Sequence, residues 1–148
     1  MDKHKLKQMC IDKLEQQQAE LQLLILDVQA ASNNETKSTA GDKHDTARAQ
    51  AQIEVERLSK QLGLIYQMRE ELLKLPTENS SIIKYGSFVT TTAGNFYIAV
   101  ALGKMHFDEL ECFVISRNSP LGKALVNKRI GDQLQMMNGN KFTIRSFN

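Results

Sequence analysis

The sequence predicts an α+β chain in two parts. An N-terminal antiparallel coiled-coil hairpin is expected over residues 1–76, followed over 77–148 by a small antiparallel β domain with one short helix. Two long segments carry narrow apolar stripes, a polar run separates them, and beyond Pro76 the pattern turns to short β-rich runs.

In the first segment Cys10, Leu14, Gln17, Leu21, Leu24 and Val28 follow an alternating spacing of four and three. Ala51, Val55, Leu58, Leu62, Ile65, Arg69 and Leu72 do the same in the second. A stripe confined to seam positions suits two paired helices better than one helix on a broad core. The run from Ser32 to Gly41 is rich in residues that prefer caps and turns, so a polar loop is expected there and the helices fold back antiparallel. From Thr46 to Leu75 the second arm has thirty residues. At about 1.5 Å per residue it projects its tip roughly 45 Å. Arg69 interrupts the seam near its base.

Pro76 stops the arm, and Thr77-Glu78-Asn79-Ser80-Ser81 reads as a linker. Strands are expected at 87–91, 96–100 and 112–115, then at 133–137 and 141–147 around a turn at Asn138-Gly139-Asn140. Ser119-Pro120 is an N-cap and first-turn pair for a short helix through Val126.

Lys and Arg number 19 against 17 Asp and Glu, and a net charge of +2 is too small to imply general nucleic-acid binding. No apolar run approaches the ~20 residues that cross a bilayer, and the basic start is followed by Gln-rich helix rather than a signal core. Cys10 and Cys112 lie far apart with no CxxC, which fits reduced thiols in a cytosol. A cytoplasmic monomer without a membrane partner is expected.

The segment Gly41-Asp42-Lys43-His44-Asp45-Thr46-Ala47 places two carboxylates at the bend of the hairpin. Asp42 and Asp45, three apart at a helix start, share one face. The same spacing also describes a capped helix, with Asp42 accepting backbone N–H groups and Asp45 at the positive end of the macrodipole. His44 has no second His or Cys at zinc spacing.

The hairpin, its acidic tip near 41–47, the run Asn118-Ser119-Pro120-Leu121-Gly122-Lys123-Ala124-Leu125 and the following Lys128-Arg129-Ile130-Gly131-Asp132 together resemble the bacterial Gre transcript cleavage factors. The resemblance covers nearly the whole chain, and its most specific part is the Ser-Pro-Leu-Gly-Lys-Ala-Leu run with the downstream Ile-Gly-Asp. At the tip the family reads Gly-Asp, two residues, then Glu-Asn-Ala-Glu-Tyr. Here Asp42 matches, Asp45 replaces the first Glu, and Arg48 and Ala49 replace the second Glu and the Tyr.

The resemblance implies an FKBP-like β domain and a hairpin that enters the secondary channel of RNA polymerase. The chain would then be no enzyme itself and would hold no cofactor of its own. Asp42 and Asp45 would act with the polymerase's carboxylates on a shared magnesium, helping the polymerase cut the extruded 3′ end of nascent RNA by a two-metal mechanism. Lys43 and Arg48 would contact RNA phosphate, or equally form a solvated rim. Ser119, Pro120, Leu121 and Lys123 would dock on the polymerase, or simply start a helix with one exposed cation. A regulator that enters the same channel without promoting cleavage is the alternative, favoured by the changed residues around the tip. A prolyl isomerase is the third reading, opposed by the absence of Trp and by the short domain.

Overall fold

The computed structural model describes residues 1–38 and 42–148, with the side chains of 35–38 and 42–44 outside the description. Helix α1 spans Lys3–Ser38 and α2 spans Asp42–Leu73. The polar run expected as a ten-residue loop is therefore helical from Ser32 to Ser38. Once a helix exists, each added residue gains a hydrogen bond without a new nucleation cost, and the propensity penalties of Ser, Asn and Thr stay below about 0.7 kcal/mol each.

The chain divides into two compact units, Asp12–Arg69 on one side and Met1–Ile11 with Glu70–Asn148 on the other. In the first unit, Ala51, Val55, Leu58, Leu62, Ile65 and Arg69 are all buried or half-buried, as the expected stripe requires. On α1 the stripe departs from expectation at one step. Leu24 is 48% exposed and Ile25 takes the half-buried position. All of Leu23-Leu24-Ile25-Leu26 is apolar, so hydropathy alone does not mark which of the four faces the partner helix. Pairing is antiparallel: Glu15 meets Arg69 at 3.2 Å, and Gln22 Nε2 donates to Tyr66 Oη at 3.2 Å.

In the second unit six strands lie in the order β3-β4-β2-β1-β6-β5. They are β1 (Phe88–Thr91), β2 (Gly94–Ala99), β3 (Gly103–Phe107), β4 (Leu110–Ser116), β5 (Gln133–Gln135) and β6 (Lys141–Phe147), with α3 (Pro120–Leu125) between β4 and β5. The sheet is mixed rather than wholly antiparallel, because β2 pairs parallel with β4 while the other pairs are antiparallel. The physical cause is β3, which sequence reading leaves out. Its turn at Asp108, at φ 58°, folds β4 back against its inner edge, so β4 arrives beside β2 running the same way. Gly-Lys-Met-His-Phe carries too few β-branched residues to announce a strand.

Phe96 and Ile98 point to one face of the sheet and pack with Ile83, Val89, Leu125, Phe142 and Ile144. Tyr97, Cys112 and Val114 point to the other face and are buried there too. Coverage on both faces explains why β2 ends in the unbroken apolar run Phe-Tyr-Ile-Ala. The buried Cys10 thiol of α1 lies close enough to Tyr97 and Cys112 to act on them electrostatically. Burial pushes the Cys10 and Cys112 thiols up to about 12 and Tyr97 further still. The Tyr97 hydroxyl is buried with no hydrogen-bond partner among the described residues. Among the described residues no helix is long and apolar enough to cross a membrane.

Two predictions follow from this packing. Arg69 occupies a seam position and is paired, among the described residues, with a half-exposed carboxylate, an interaction worth about 0–1 kcal/mol. Arg69→Leu should therefore raise the melting temperature by roughly 2–4 °C in a calorimetric scan, through about 1 kcal/mol of added apolar burial. The raised thiols give the second. In the unfolded chain they lose protons from about pH 9, while in the fold they stay neutral to about 12, so the folded state holds more protons across that window. The thiols' contribution to stability should be level below about pH 8 and shrink as pH climbs from 9 towards 12, by up to about 2 kcal/mol per thiol near pH ~10.5. Urea midpoints across that range measure the fall, and Cys112→Val should flatten it.

Candidate functional site

The tip is built from the start of α2. Asp42 is the first residue of that helix, and its side chain, with that of Lys43, lies outside the described residues. Asp45 is exposed in the first turn and makes no ion pair with a described residue. Because its own backbone is already helical, it does not serve as the N-cap, which belongs at or before the helix start. What the helix gains from it is a favourable charge near the positive end, typically 0.3–1 kcal/mol. Arg48, three residues on, is exposed on the same side of the helix. It lines a polar cleft of about 340 Å³ with Gln29, Ser32, Asn33, Ala51, Gln52 and Val55.

Among the described residues no three His, Cys, Asp or Glu side chains come together. Asp45 offers a hard oxygen donor of the kind magnesium takes in ones or twos from any single source.

The other candidate residues lie around α3. Ser119 caps that helix, its hydroxyl donating to Ser116 O at 2.6 Å and accepting from Gly122 N at 3.0 Å, and Pro120 follows in the first turn. At Gly122 an added Cβ would stand 2.2 Å from Ser116 O. The Ser-Pro-Leu-Gly run is thus a device for turning out of β4 directly into a helix pressed against it.

That turn divides the four residues expected to dock. Ser119, Pro120 and Leu121 line an open apolar groove of about 480 Å³, while Lys123 faces a separate cleft. Sequence reading did not find the groove's other wall, where Leu134, Met136 and Met137 meet Phe142. The signal was present in Met136-Met137, flexible apolar residues beside a turn, with Met137 95% exposed. Phe142 is the one aromatic ring in the lining.

No protein-family model and no curated protein matches the chain. Solved structures similar to it along nearly its whole length include the following three. One is the transcription factor Gfh1, at 20% identity over 93% of this chain and 92% of that one, with a TM-score of 0.38. GreA factor homolog 1 (Gfh1) of Thermus thermophilus shows 20% identity, coverage of 93% and 94%, and a TM-score of 0.36. Thermus aquaticus Gfh1 shows 21% identity, 92% coverage of each chain, and a TM-score of 0.33. At these values the functional reading rests on the residues of this chain.

Gly122 gives a direct check of the α3 turn. Gly122→Ala should destabilise the protein by about 1–3 kcal/mol, the usual cost of forcing an extra carbon into a packed site. A denaturant titration measures it, and an unchanged midpoint would mean that the turn relaxes freely.

Proposed function

We propose that the chain is a Gre-like factor that enters the secondary channel of RNA polymerase and stimulates cleavage of backtracked transcripts from its tip. The observation that carries this reading is the exposed Asp45 carboxylate in the first turn of α2, on a hairpin closed by a narrow apolar seam. Such a hairpin has little interior of its own, and its end displays a charge that helix capping does not require. Asp45, with Asp42 beside it in sequence, orients an attacking water and completes a ligand set begun by the polymerase. The shared magnesium, when bound, supplies stabilisation of the attacking and leaving oxygens. Ser119, Pro120 and Leu121 offer an apolar docking edge, and Lys43 and Arg48 lie within one turn of Asp45 along the chain, suited to RNA phosphate.

Arg48 favours a second reading. An exposed guanidinium three residues from Asp45 competes for the carboxylate's charge on the same helix face, which suits a factor that occupies the channel without promoting cleavage.

A transcript cleavage assay on stalled, backtracked complexes of the cognate polymerase separates the two. The first reading expects shortened 3′ ends, and a loss on the order of 10²-fold for Asp42→Asn and for Asp45→Asn with folding and polymerase binding nearly unchanged. Asp45→Glu should keep or increase the activity. Inhibited synthesis without shortening would establish the second reading, and full cleavage by the double Asn variant would remove the catalytic tip.

A further inference from the structure

Outside the tip and the apolar groove, one cleft gathers positive charge around an aromatic ring. Tyr85, Arg117, Asn118, Lys123 and Val126 line an opening of about 330 Å³ in the sheet unit. The Arg117 guanidinium lies over the Tyr85 ring, 4.7 Å from its centroid. Arg117 and Lys123 are both exposed and make no ion pair with a described residue. Among the described residues no carboxylate lines the cleft. Glu71 is the acidic group that acts on it, helping to hold the Tyr85 hydroxyl above its ordinary range, mainly an effect of burial, while Arg117 pulls the other way.

We propose that this cleft binds a nucleoside phosphate. A guanidinium held over a ring can still offer its N–H groups to a bidentate oxyanion and stack a further planar group. Lys123 adds a second cation and the Asn118 side chain an amide donor. A phosphoryl group, with several oxygens and up to two charges, uses all three donors. A single carboxylate is already satisfied by the guanidinium edge. The outer face of Arg117 takes the base, and Val126 supplies an apolar wall beside it. The inference goes beyond the tip chemistry and does not depend on it.

The test is an NMR titration of the full chain with pyrophosphate, with a nucleoside triphosphate and with a short single-stranded RNA. Pyrophosphate should move the amide signals of Arg117, Asn118 and Lys123, and the nucleoside triphosphate should bind at the same place about tenfold more tightly, through stacking of its base. Arg117→Gln should weaken both ligands at least tenfold. Lys123→Gln should weaken both severalfold. Arg117→Lys, which keeps the charge and loses the flat face, should retain pyrophosphate binding and abolish the triphosphate's advantage. Arg145→Gln, at an exposed position outside the cleft, should change nothing. The proposal is overturned if pyrophosphate leaves these signals unmoved, if Arg145→Gln weakens binding as much as Arg117→Gln, or if only RNA binds. RNA binding alongside both small ligands would identify a nucleic-acid backbone as a further source of the phosphate.

Discussion

The approach of α3 to the end of β4 is the constraint on which the sheet unit's surface depends. The Ser116 carbonyl occupies the place where a side chain at Gly122 would begin, and the Ser119 hydroxyl bridges the same carbonyl and the Gly122 amide. With the first turn so fixed, the helix presents Pro120, Leu121 and Ala124 to the β5–β6 hairpin and Lys123 to the Tyr85 side. One short helix therefore separates an apolar groove from a cationic cleft. The two surfaces differ in chemistry although their residues are neighbours in sequence.

The paired helices work under a different constraint. Their contact is a single narrow seam, so each seam position counts and each flank stays wet. Leu23, Leu24, Leu26, Ile53 and Leu64 remain largely exposed in spite of their hydropathy, since a seam between two helices buries one narrow stripe of each. Polar positions are tolerated for the same reason: Arg69 sits half-buried on the seam and reaches Glu15 at its edge. A hairpin of this kind is a support for its end more than a core, which makes a charge at the start of α2 more informative than the same charge elsewhere on the arm.

Burial in the sheet unit has a chemical consequence of its own. Cys10, Tyr97 and Cys112 come from a helix and two strands, and apolar surroundings hold all three neutral. Thiols in that state are poor nucleophiles.

What the sequence determined by itself was whatever depends on local period and turn chemistry. Three-and-four spacing placed the α2 seam from Ala51 to Leu72, the Ser119-Pro120 pair placed α3, and the Asn-Gly-Asn turn placed the β5–β6 hairpin. It also placed Asp45 at a helix start, because polar residues before an amphipathic run mark that boundary. What tertiary structure alone decided was everything set by contacts between distant segments. Hydropathy could not choose Ile25 over Leu24 within four consecutive apolar residues, since only the partner helix distinguishes them. Nor could it show that β4 lies parallel to β2, because pairing direction follows from β3, a strand with a weak pattern of its own. The Arg117–Tyr85 contact is the same case: thirty-one residues lie between the two in sequence, and no local period records that they meet.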